Sequence, residues 1–335
     1  MTDTQHTPAD TATGNDHTAP VQSARTPWRG AALLLTVAIG ALIPLQGRIN
    51  SALSTHLNDG LAAAALSFAG GWLLMTLAAV ASPGLRRSLG RLLGAFRDRR
   101  LPRWYLVAGV FGSSLALAQS TTALITGIAV FTVAAIAGQT VSGLTVDSIG
   151  FAGSARRRPA PARLAGAALI LIAAVTAAYP QLSSGDPLHA LLPGLAPLVA
   201  GFLLGFQQAM NGASGAVSGS PLAATWLNFC VGTLFLAAIW AVKTLIGASP
   251  IRALPTDPWL YAGGLCGVVF IAASAHLVRK VGVLLLGMGS IAGQLIGSLT
   301  LDLVMPAGKE SPSVLTVLGA LVTLAAVGIA SRQRR

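Results

Sequence analysis

The chain has 335 residues, 53% of them hydrophobic and only 10% charged, with a net charge of +12 and a mean hydropathy of +0.70. Soluble domains carry about 25% charged residues, so this composition excludes an ordinary water-soluble core and points to a bilayer. The positive charge does not imply nucleic acid, because the basic residues sit in short connections between apolar stretches, where they set topology and meet anionic headgroups.

In chain order, residues 1–27 hold Thr, Ala, Asp and His without an apolar run. They predict a disordered cytoplasmic tail and lack the apolar core of a signal peptide. Ten apolar segments follow, at about 30–52, 60–82, 104–123, 126–150, 162–180, 191–215, 221–246, 258–277, 281–305 and 311–331. Each approaches the roughly 20 residues that a spanning helix needs. Gly60, Pro83, Pro102, Pro180, Pro221, Pro258 and Pro312 mark most junctions. Residues 332–335 form a short basic tail. With ten spans, 18 of the 22 Lys and Arg fall on the side of both termini, which predicts that both termini are cytoplasmic. Cys230 and Cys266 lie inside apolar segments, where small core residues are expected rather than a disulfide. No zinc spacing, phosphate-binding loop or nucleophile motif occurs, so no cofactor, metal site or catalytic set is expected.

The chain is written twice. Ile136-Ala137-Gly138-Gln139 with Leu144, Thr145 and Asp147 returns 155 positions later as Ile291-Ala292-Gly293-Gln294 with Leu299, Thr300 and Asp302. Trp104, Gly109, Gly112 and Gly127 recur at the same offset. Upstream, Gly40, Gln46, Asn50, Phe68 and Gly71 return 161 positions later as Gly201, Gln207, Asn211, Phe229 and Gly232. The change of offset places one indel in the basic stretch between the second and third segments. The halves are residues 28–180 and 181–331. Five spans is an odd number, so the second copy must cross the membrane upside down. The expected fold is an all-α membrane protein of ten transmembrane helices in two inverted five-helix repeats, an arrangement that encloses a site between its halves.

Polar residues kept in both copies are the candidate site. Gln139, Gly143 and Asp147 share one helix face, repeated by Gln294, Ser298 and Asp302. The glutamines lie near mid-span, where substrate sites of such folds are found. Asp147 and Asp302 lie near span ends and read either as caps and loop anchors or as gating or proton-coupling groups. Gln46 with Asn50, and Gln207 with Asn211, read either as interhelical glue or as substrate contacts. Gly289, Gly293 and Gly297, with Gly138 in the first copy, form small-residue faces that let helices pack closely or slide. Arg48 has no counterpart and reads as a headgroup contact or an attractor of anions. Ser113, Ser114, Gln119, Ser120, Thr121 and Thr122 mark span three as a polar lining.

The phrases Gln46-Gly-Arg-Ile-Asn50, Leu66-Ser-Phe68-Ala-Gly-Gly71 and Ile136-Ala-Gly-Gln139 with Thr145 and Asp147, each echoed in the second half, resemble the drug/metabolite transporter superfamily, and within it the YdcZ-type family in a fused two-repeat form. The resemblance covers about residues 30–331. It implies a bacterial inner-membrane carrier of small metabolites or toxic compounds, with export as the expected direction. Span one lacks the central Glu of the proton-coupled small multidrug relatives, so their antiport chemistry does not transfer. The expected function is alternating-access transport with Gln139, Gln294, Gln46, Asn50, Gln207 and Asn211 orienting a small-molecule substrate. The rivals are a membrane scaffold or sensor and a lipid-modifying intramembrane enzyme. Expected partners are the substrate and anionic lipids at the basic cytoplasmic loops. The protein is expected to act as a monomer or homodimer without nucleic acid.

Overall fold

The computed structural model describes residues 28–153, 156, 161–183, 187–247, 253–305 and 313–332, so the predicted tail at 1–27, and all but Arg332 of the one at 332–335, lie outside the described residues. Eleven α-helices occur among them: α1 (Trp28–Gly40), α2 (Leu42–Leu57), α3 (Gly60–Ala81), α4 (Pro83–Arg97), α5 (Val107–Thr126), α6 (Ile128–Ile149), α7 (Pro161–Ser183), α8 (Pro187–Ser218), α9 (Pro221–Leu245), α10 (Gly263–Val304) and α11 (Val314–Arg332). Short 3-10 turns at Arg103–Leu106 and Pro258–Tyr261 lead into α5 and α10. No strand occurs among the described residues. Four helices, α3, α6, α9 and the stretch Arg103–Thr126, are long and apolar enough to cross a bilayer. Leu73, Leu77 and Val80 of α3, and Leu234, Val242 and Leu245 of α9, are exposed, as a lipid-facing surface requires and a soluble one avoids.

Local chemistry sets the boundaries. Asp59 caps α3, accepting the N–H groups of Leu61 and Ala62. Gly127, at φ +79°, supplies the positive φ that lets α5 pass into α6. The first apolar segment is two helices, α1 and α2, meeting at Ala41. Pro44 has no N–H for the carbonyl of Gly40, and the ladder is interrupted there.

The structure corrects one feature of the sequence reading. The basic stretch after α3, read there as a loop, contains a helix. Leu85, Leu92 and Phe96 of α4 are buried, while Arg86, Arg87 and Arg97 stay exposed. Arg86 caps the end of α3 through the carbonyls of Ala79 and Val80. Arg91 donates to the Ser218 carbonyl at the end of α8 (2.8 Å). The eighth and ninth predicted segments fall in one helical run, α10 (Gly263–Val304). Its 42 residues would span about 63 Å if straight. Yet its first residue, Gly263, packs against Asn50, and Arg48 reaches the carbonyl of Met305 just past its last residue. The run therefore turns back between Gly267 and Gly289, and its two limbs lie alongside α2 in opposite directions.

The packing is reciprocal between the halves. Phe68 and Phe229 stack with centroids 5.0 Å apart, Gly71 lies against Phe229, and Gly232 lies against Phe68. Lys243 pairs with Asp59, and Trp226 donates to Thr76 (3.0 Å), so α3 and α9 run antiparallel. Gly40 abuts the carbonyl of Ser290, and Gly201 abuts that of Ala135. Gly293 abuts Val37, and Gly138 abuts Leu198. Residues 155 or 161 positions apart thus make the same contacts twice, once between α1 and α10 and once between α8 and α6. At the periphery α11 packs on α7, with Gly319 against Ala173 and Ala177.

Candidate functional site

A cavity of about 270 Å³ lies where α2, α5, α8, α9 and α10 converge. Gln46, Gln207, Gln208, Asn211, Thr225 and Asn228 supply its polar wall, and Phe68, Phe229 and Phe270 part of its apolar one. Asn228 is the hub. Its Oδ1 accepts from Gln207 Nε2 (2.8 Å) and, at longer range, from Asn211 Nδ2 (3.4 Å). Gly112 makes room for this group, since a Cβ there would meet the side chains of Gln207 and Asn228. Gln46 is only 8% exposed and has no hydrogen bond to a described residue. The lining includes Asn211, Gly212 and Pro221, so the cavity reaches toward the end of the molecule where α8 finishes and α9 begins.

At the matching place in the first half the polar side chains are sealed. Asn50, the counterpart of Asn211, is wholly buried and donates to Gln119 Oε1 (3.1 Å). Ser51, the counterpart of Gly212, is equally buried and bonds the carbonyls of Gly47 and Gln119 (2.7 and 3.0 Å). Gln119 also donates to the carbonyl of Ile43. Nearby, Asp59 holds Lys243 at 3.0 Å and ties α3 to the far end of α9.

Gln139 and Gln294 stand apart from the larger cavity. They face each other's neighbourhood across a gap of about 10 Å³ shared with Gln119 and Thr132, close to the room one water needs. Ile43 and Leu115 line both spaces, so the gap adjoins the cavity. Asp302 is buried, and its carboxylate accepts from the backbone N–H groups of Ile128 (3.1 Å) and Ala129 (2.7 Å), the first residues of α6. It caps a helix of the opposite half. Asp147 is half-buried near the end of α6. Arg48 donates to the Met305 carbonyl (3.1 Å), a helix-end contact that neither sequence reading named. Gly138, Gly289, Gly293 and Gly297 all sit in close helix contacts. Gly289 meets Thr36, and Gly297 meets Ala41 and Pro44.

The structure thus separates the six candidate amides. Gln46, Gln207 and Asn211 line the cavity, Asn50 is sealed away from it, and Gln139 and Gln294 line the gap. Gln119 belongs to the polar lining read from span three, whereas Asn228 is not among the site residues read from the sequence. Asn228 stands at the position of Ser67, and that substitution within a repeat was its signal.

Residues 31–176 and 192–329 each match the family model described as "Putative inner membrane exporter, YdcZ". The chain belongs to this YdcZ family. It carries the module twice, as a fused two-repeat form of a membrane transport family, and that description points to a transporter rather than an enzyme. No curated protein matches the chain.

Proposed function

We propose that the chain is a secondary-active carrier of a small molecule across the bacterial inner membrane, working by alternating access. Ten spans would form two inverted five-helix repeats, with α10 supplying spans eight and nine and α1 with α2 supplying span one. The antiparallel, reciprocal packing of α3 against α9 supports the inversion. The 18-to-4 bias of basic residues supports placing both termini, α4 and the α8–α9 turn in the cytoplasm. In that orientation the cavity is open inward and closed outward.

One observation carries this reading: the same pair of positions is open in one half and sealed in the other. Asn211 and Gly212 line the cavity, whereas Asn50 and Ser51 are wholly buried. Exchange of conformations between the repeats would open the opposite side. Gln139 and Gln294 would lie on the substrate's path, and Asp302 would hold the closed side by capping α6, with Asp147 as its counterpart. The exposed arginines of α4 would rest on anionic headgroups. Export is the direction that the family description supports.

The test is exchange in proteoliposomes across a panel of labelled metabolites and toxic amines. Saturable flux, accelerated by unlabelled solute on the opposite side and lost in a Gln207→Leu/Asn228→Leu variant, is expected. Flux that never saturates, or no flux for any solute, contradicts the carrier.

A further inference from the structure

Resting on the carrier reading, we infer that the central cavity selects small uncharged molecules that both donate and accept hydrogen bonds. The polar wall is built of amides: Gln46, Gln207, Gln208, Asn211 and Asn228, with the Thr225 hydroxyl. A carboxamide offers both a donor pair and an acceptor. Asn228 Oδ1 is occupied by Gln207 and Asn211, which leaves the Asn228 NH₂ and the Gln207 carbonyl for a ligand. Gln46, more than nine-tenths buried and without a partner among the described residues, presents a whole amide to the same space. A group that pairs with these amides replaces the water it loses on entry.

Charge is handled differently. No Asp, Glu, Lys or Arg is among the described residues lining the cavity. Asp59 is tied to Lys243, and Asp302 to the start of α6, each outside this wall. An ion entering a space walled by amides, Phe68, Phe229 and Phe270 loses hydration, and no described lining residue offers a counter-charge to replace it. The volume, about 270 Å³, falls just below the usual range for drug-sized sites, which favours metabolite-sized solutes.

A charge series of constant shape tests the inference. Gly212→Cys places a thiol where a Cβ meets nothing within 4 Å, in a Cys230→Ser/Cys266→Ala background. Protection of this thiol from a maleimide is read with nicotinamide, nicotinate and 1-methylnicotinamide, and with acetamide, acetate and tetramethylammonium. Exchange of the same solutes is read in proteoliposomes. Each neutral member is expected to protect at concentrations on the order of tenfold or more below its charged analogues. A Gln46→Glu variant is expected to invert the preference toward the cation. A charged member that protects or exchanges better than its neutral partner overturns the inference while leaving a carrier in place. Failure of every neutral solute to protect also overturns it. Protection without saturable exchange keeps the solute class and contradicts the carrier, so the two claims fail separately.

Discussion

Asn50 and Asn211 hold the same place in the two halves, four residues after Gln46 and Gln207, and live in different surroundings. Asn211 shares the Asn228 carbonyl with Gln207 at the edge of an open cavity. Asn50 is wholly buried against Gln119. The Gln-x-x-x-Asn pattern that the halves share cannot by itself produce that difference. It arises from how the helices are packed around each copy, and in the proposed carrier it distinguishes the closed side from the open one. The sealed side is the less well satisfied. Asn50 Oδ1 and Ser67 Oγ are buried without a hydrogen-bond partner, and such atoms cost about 1–3 kcal/mol each.

The largest effects are expected where the halves are most alike. Gly138→Leu and Gly293→Leu each drive a side chain into a backbone carbonyl, of Leu198 and Val37 respectively. Each is expected to destabilise the protein by about 1–3 kcal/mol or more, read as lost folded protein on heating in detergent. Tolerance of one but not the other would break the equivalence of the two seams. Next comes the amide pair. Asn50→Ala strips the donor from a buried Gln119 and is expected to cost about 1–3 kcal/mol, whereas Asn211→Ala, at a half-buried position, is expected to cost under about 0.5 kcal/mol. Equal losses would show that the two sites do not differ in solution. Lys243→Ala removes the ammonium that Asp59 holds at 3.0 Å. The expected loss is about 1 kcal/mol because the lysine is partly exposed, together with easier opening of the sealed side, read as faster labelling of a cysteine there. Smallest is Arg91→Ala, which frees the end of α8 from α4 and is expected to cost about 0.3–1 kcal/mol by the same thermal assay.

Much of the fold was legible because a duplication is a strong constraint. The pairs Gly138/Gly293 and Gly40/Gly201 were visible as constant offsets, and they mark the helix contacts that repeat. Other features were hidden for physical reasons. α4 reads as a loop in the sequence because its arginines interrupt the apolar pattern of Leu85, Leu92 and Phe96, whose burial against the bundle makes it a helix. The break between α1 and α2 has its sequence signal in Pro44. The division of the six amides between cavity, gap and seal could not be read, because it depends on the rotation and tilt of each helix. Asn228 carries the polar hub from a position where the first half has Ser67, so a search for residues kept in both copies passes over it.

The central claim is that the two halves exchange states. Single cysteines at Ser51 and Gly212 in the Cys230→Ser/Cys266→Ala background test it most directly, labelled by a membrane-impermeant maleimide in inverted and right-side-out vesicles, with and without Lys243→Ala. The account predicts rapid labelling of Gly212→Cys in inverted vesicles and protection of Ser51→Cys in right-side-out ones. Lys243→Ala should slow the first and speed the second. Labelling of both positions in parallel, or a cytoplasmic cavity that stays equally reactive while the outer position opens, would contradict it.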